Sequence, residues 1–175
     1  MNIAAIKKRC IEYGQCILIT NRDAQWIGTG REFYPVHGVK LTEEGIPGLF
    51  GLTKKEKDEI EIREEHDALE VMLGGVVLST DEPCAEKLID VNFGTGVLRQ
   101  VIGRESGEKR WYYVNGAVPA KRKDAKHDLF MRGNCLLLAN GMIVEAVVGM
   151  LDKGEQGRLE DALRKMLSRM EEEAE

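Results

Sequence analysis

Apolar positions recur every three or four residues near both ends of this chain, and in short runs or every second residue between them. Near the start, Ile3, Ile6, Cys10 and Tyr13 form one stripe at helical spacing, with Asn2 placed to cap it. Gly14 ends that helix, since glycine takes the left-handed conformation of helix C-termini readily. Near the other end, Leu159, Ala162, Leu163, Met166, Leu167 and Met170 predict an amphipathic helix, with Glu160, Asp161, Arg164, Lys165 and Arg169 off the stripe. The closing acidic run Glu171–Glu173 opposes the helix macrodipole and predicts a loose last turn.

Between these helices the pattern is that of strands. Cys16–Thr20, Gln25–Gly28 and Glu32–Val36 are three short runs broken by Asn21–Ala24 and by Gly28-Thr29-Gly30. Pro35 has no backbone donor, which predicts that the third strand is an edge or stops at Tyr34. Thr42 opens a short helix that Pro47 and Gly48 limit. Thr53 and Glu56 have the spacing of a capping box. Ile60-Glu61-Ile62 alternates like a strand, and Glu64–Asp67 is expected to be a loop. Strands are also expected at Leu88–Phe93, Val97–Ile102 and Arg110–Val114, the last being the most strand-like run and ended by Asn115-Gly116. Asn140-Gly141 between Cys135–Ala139 and Met142–Val148 is the strongest hairpin signal, with both central residues expected at positive φ. The sum is an α+β fold, mainly antiparallel sheet, with a short N-terminal helix and an amphipathic C-terminal helix. One domain over residues 1–175 is expected; a boundary dividing it into two subdomains would fall at 68–83.

Composition adds limits. A chain of 175 residues removes roughly 70% of its extended surface from water, so its core needs no disulfide or metal staple. No apolar run approaches the ~20 residues of a membrane helix. Lys7, Lys8 and Arg9 follow the first apolar patch, the reverse of a signal peptide's order, so a cytoplasmic chain without membrane contact is expected. Cys10, Cys16, Cys84 and Cys135 lack metal-ligand spacing and read as core thiols. A net charge of −5 argues against non-specific nucleic-acid binding by the whole surface. The charge is uneven, however: Lys54–Glu70 holds four basic and eight acidic residues, and Arg104–Arg132 eight basic and four acidic.

Motifs for chemistry are missing. Gly28-Thr29-Gly30-Arg31-Glu32-Phe33 starts like a dinucleotide fingerprint but has phenylalanine at the last glycine position and no helix after it. No serine sits in a nucleophile elbow, and His37, His66 and His127 read as exposed loop residues. Glu64-Glu65-His66-Asp67 is dense in metal donors, which would converge only in an irregular loop. No catalytic residue, metal or cofactor is therefore expected. Two sets of binding residues remain. Trp26, Gly28, Gly30, Arg31 and Tyr34 surround the glycine turn and offer a cation to a small phosphorylated ligand. Lys121, Arg122, Lys123 and Lys126 lie beyond the aromatic strand with Tyr112 and offer cations and a stacking face to nucleic acid or an acidic partner.

The segments Gln25-Trp26-Ile27-Gly28-Thr29-Gly30, Tyr34-Pro35-Val36-His37-Gly38 and Leu41-Thr42-Glu43-Glu44 resemble a group of uncharacterised proteins carried by prophages and mobile elements of Gram-positive bacteria. The likeness covers about the first 60 residues. It implies a cytoplasmic accessory protein and no reaction. The hairpin Leu136–Val148 is similar to the strand-rich halves of DNA sliding clamps, which implies DNA contact. The expectation is a non-catalytic binding protein, self-associating as a homo-oligomer and acting through a sheet surface on a protein partner. A DNA-contacting accessory and a nucleotide-binding or sequestering protein are the alternatives.

Overall fold

In the computed structural model, residues 2–22, 24–66, 73–93, 96–120 and 127–172 are described. The first helix, α1 (Ile3–Tyr13), is capped as the sequence requires: the Asn2 side chain accepts from the Ala5 amide at 3.1 Å. Ile6 and Cys10 point into the core. Three antiparallel strands follow, β1 (Gln15–Asn21), β2 (Ala24–Gly28) and β3 (Glu32–Val36). Two short helices, α2 (Ile46–Phe50) and α3 (Lys54–Glu59), cross over to β4 (Glu61–His66), which pairs with β1 in parallel. The Thr53–Glu56 capping box starts α3 as expected. The acidic run expected as a loop is therefore largely strand, with Glu64, Glu65 and His66 in register with Leu18, Ile19 and Thr20. Its charges suit an edge strand, where they discourage pairing with other chains.

The second half is β5 (Glu82–Phe93), β6 (Gly96–Gly103), β7 (Lys109–Tyr113), the one-turn helix α4 (Val114–Ala117), β8 (Asp128–Arg132), β9 (Cys135–Asn140), β10 (Ile143–Gly149) and the long helix α5 (Lys153–Glu172). The strand order is β4-β1-β2-β3-β10-β9-β8-β5-β6-β7, antiparallel at every pair except β1–β4. Just past β10, Met150 bridges Tyr112 of β7 and the Leu151 amide donates to the Trp111 carbonyl at 2.8 Å. The six strands β5–β10 thus close on themselves, and β3-β2-β1-β4 continue outward from β10. The chain is α+β with a mostly antiparallel sheet.

Three local expectations are corrected. β3 is an interior strand, yet its proline is tolerated. The Thr29 amide donates to the Glu32 carbonyl, so alternation aims Tyr34 at β2 and position 35 at β10. Only Glu32 and Phe33 pair with β10, so Pro35 lies beyond the last pair and no ladder bond is lost. The β9–β10 loop is Gly141-Met142 rather than Asn140-Gly141, because Asn140 pairs with Ile143. Of the two, only Gly141 has positive φ, at 60°, the pattern of a turn with glycine first. Strand β8 carries too few alternating apolar residues to be seen from pattern alone, and β5 begins six residues before the expected strand at Leu88.

Alternation sends side chains to two cores. Leu18, Ile27 and Tyr34 on one face join Cys10 of α1 and Val101, Tyr112, Leu136, Leu138 and Val148 of the closed ring. Ile17, Ile19, Trp26 and Phe33 on the other face pack with Leu137, Val147, Leu73 and Val77. A third cluster of Leu98, Trp111, Leu151 and Leu159 seats the start of α5. That helix begins six residues earlier than its apolar stripe. Leu159 is fully buried, whereas Met166 is 60% exposed. Among the described residues no helix is long and apolar enough to cross a membrane. Cys10, Cys16 and Cys84 are buried free thiols, and Cys135 is half-buried.

Candidate functional site

The β2–β3 turn carries most of the residues that the glycine motif singled out, but it does not bring them together. A Cβ on Gly28 would overlap the Glu32 carbonyl, so glycine here permits close approach of the two strands. Gly28→Ala is expected to lower stability by about 1–3 kcal/mol, since backbone rather than a flexible side chain must move. Chemical denaturation checks it; an unchanged midpoint would show that the turn relaxes freely. Trp26 and Tyr34 are each 1% exposed and lie on opposite faces of the sheet. The Tyr34 hydroxyl donates to the Gly116 carbonyl at 2.5 Å, and burial pushes its pKa up. The carbonyl of Thr29 accepts from the Gln15 side chain, and its amide is used by the Glu32 carbonyl. Of this set, Arg31 alone presents a polar head to solvent, next to Gly30 at the tip of the turn.

Arg31 has neighbours that the sequence did not connect to it. Its guanidinium lies 5.8 Å from the ring centre of Tyr13, the last residue of α1, and 5.7 Å from that of Tyr113, the last of β7. The Arg9 guanidinium stacks on the same Tyr13 ring at 4.8 Å. Arg9, Tyr13, Arg31 and Tyr113 therefore form a ladder of alternating cations and rings, and cations are attracted to ring faces by the aromatic quadrupole. The inner end of the ladder is neutralised. Arg9 donates to Glu32 at 2.9 Å and to Glu12 at 2.7 Å, with Glu32 only 2% exposed. Burial pushes the Glu32 carboxyl above the ordinary carboxylate range, against the pull of Arg9 and of the Thr29 hydroxyl. The outer end has no direct ion pair: among the described residues no carboxylate forms a salt bridge with Arg31, although the Glu32 carboxylate acts on it through its charge.

Two cavities flank this ladder and share Tyr13, Arg31 and Tyr113. One, of about 530 Å³, adds Arg9, Glu12 and Asn115. The other, of about 260 Å³, adds Asp152 and Glu155 at the start of α5 together with Gly149 and Met150. The site is assembled by topology: pairing of β3 with β10 and the Tyr112–Met150 bridge bring the turn of residue 31 beside the end of β7. A strand ending in three aromatics, of which Trp111 and Tyr113 share one face and Tyr112 takes the other, was the available signal for Tyr113.

The second set of binding residues fares differently. Lys121, Arg122, Lys123 and Lys126 lie outside the described residues. Tyr112 is fully buried, its hydroxyl donating to Glu86, and burial with that bond pushes its pKa up. The neighbouring cations Arg110 and Arg132 are likewise interior, donating to Asn134 and Asp81 among others. His37 is an exposed loop residue and His66 is exposed but ends strand β4, whereas His127, just before β8, corrects the expectation of exposure: its side chain is 4% exposed and its Nε2 lies 2.6 Å from Glu145. Glu64 accepts from the Thr20 hydroxyl and Glu65 pairs with Arg63, as successive strand residues diverge. Comparison with family models, with curated proteins and with solved structures found no match for this chain.

Proposed function

We propose that this chain is a non-catalytic binding protein that takes an anionic group of its ligand on Arg31. The supporting observation is the state of that guanidinium: exposed, 5.8 and 5.7 Å from two tyrosine ring centres, and without a salt bridge to a carboxylate among the described residues. Contact with ring faces consumes none of its N–H groups in conventional hydrogen bonds, so these stay available as donors. They form the edge by which arginine grips carboxylates and phosphates. The rings also restrict the side chain before a ligand arrives, which lowers the entropy cost of binding. The accessory role of a mobile-element protein, expected from the first 60 or so residues, is a binding role of this kind.

Thermal shift against acetate, inorganic phosphate, nucleotides and short acidic peptides tests the reading. At ~100 times its dissociation constant a ligand adds about 2.7 kcal/mol to stability. At least one anion is expected to raise Tm in the native protein and to leave Arg31→Gln unchanged. An absence of shift with every anion, or a shift that persists in Arg31→Gln, removes Arg31 as the binding group.

A further inference from the structure

The surroundings of Arg31 narrow the class of anion, if Arg31 is the binding group. Across the two flanking cavities the charged side chains are Arg9, Glu12, Arg31, Glu32, Asp152 and Glu155, so carboxylates outnumber guanidiniums by two. A dianion such as a phosphate monoester meets more repulsion there than a monoanion does, because like charges at short range are unfavourable in a partly desolvated cleft. Asp152 and Glu155 form the capping box of α5: the Glu155 amide donates to Asp152 Oδ1 at 2.7 Å, and the Asp152 amide to Glu155 Oε2 at 3.2 Å. Each uses one oxygen in this way, and among the described residues nothing takes the other. The smaller cavity thus sets acceptors for a cation beside a donor for an anion. At about 260 Å³ it lies below the ~300 Å³ at which drug-sized sites begin, which suits a compact molecule.

We propose that the Arg31 cleft binds a small zwitterion, its carboxylate on Arg31 and its cationic nitrogen on Asp152 and Glu155. This rests on the reading of Arg31 given above. The test is isothermal titration with matched pairs that differ by one ammonium group: glycine with acetate, γ-aminobutyrate with butyrate, and 6-aminohexanoate with hexanoate. Inorganic phosphate is the dianion control. The ammonium-bearing member of at least one pair is expected to bind about tenfold tighter than its partner and tighter than phosphate. Asp152→Asn with Glu155→Gln keeps both caps, since Asn and Gln serve the same positions. That double variant is expected to abolish the preference while leaving carboxylate binding in place. Arg31→Gln is expected to abolish both. Lack of preference in all three pairs, a preference that survives the double variant, or tighter binding of phosphate overturns the zwitterion assignment. In that event, binding of acetate or phosphate that Arg31→Gln removes would leave the anion site itself standing. Failure of every probe to bind would remove both.

Discussion

Arg132→Met is expected to destabilise the protein by about 3–5 kcal/mol, with Tm lower by on the order of 10 °C. The Arg132 guanidinium grips Asp81 through two bonds, Nε to Oδ1 at 2.8 Å and Nη2 to Oδ2 at 2.6 Å. It also donates to the carbonyls of Val76 at 2.8 Å and Gly74 at 3.3 Å, while the Leu78 amide donates to Asp81. This clamp fastens the segment from Leu73 to Asp81 over the core of Trp26, Leu137 and Val147. Methionine fills similar space but leaves Asp81 buried without its cation and two carbonyls without their donor. Burial alone would push the Asp81 carboxyl up, but the bonds and charge of Arg132 and the Leu78 amide outweigh it and hold it below its ordinary value. A lowered folded-state pKa contributes stability that is present above the unfolded value near ~3.9 and lost as pH falls through the folded one. Asp81→Asn is therefore expected to be less stable at pH 7 and to show a shallower loss below about pH 4 than the native protein. Urea denaturation across that range measures both. Equal stability of Arg132→Met and the native protein would mean that the clamp is solvated and contributes little.

Arg9→Met is expected to cost a similar amount, about 3–5 kcal/mol, for a related reason with the opposite pH dependence. It removes the cation from Glu32, which is 2% exposed and cannot regain its hydration without unfolding the turn. Glu32 already has a raised pKa because of burial, and loss of Arg9 raises it further. A carboxyl whose folded pKa exceeds the unfolded ~4.3 penalises folding as pH rises through that window. The penalty in Arg9→Met should thus be full at neutral pH and shrink toward pH 4. Arg9→Met combined with Glu32→Gln should recover part of the loss at pH 7, because an uncharged amide is cheaper to bury than a lone carboxylate. No recovery in the double variant would place the cost of Arg9→Met in lost packing on Tyr13 instead. Either outcome is read in the same denaturation series.

Elements whose cause is local were legible from the chain alone. Asn2 and Gly14 bound α1, Thr53 and Glu56 box the start of α3, and alternation around Gly28 and Gly141 gave the hairpins. Caps, turns and two- or four-residue periodicity act between neighbours, so their signal survives in one dimension. The Pro35 expectation failed because it judged a ladder by one strand; whether a missing donor matters depends on where the partner stops. The candidate site was half visible. Arg31 stood out beside its glycine turn, while Trp26 and Tyr34, chosen for the same proximity, turn to opposite cores.

What the order of residues determined by itself is an α+β chain with short antiparallel strands, capped helices, buried thiols and an arginine at a turn tip. Only the tertiary structure decided that Arg31 meets Tyr13 and Tyr113, that Arg9 is spent on Glu32, and that Asp81 holds Arg132. Those pairs are distant in sequence. Packing of α1 on β2 sets Arg9 and Tyr13 beside the turn. The β3–β10 pairing and the Tyr112–Met150 closure bring Tyr113, and the β5–β8 pairing brings Asp81 to Arg132. Charges so far apart in sequence have no periodicity to betray them, and only burial at a shared place makes one cation structural and leaves another exposed, without a salt bridge among the described residues.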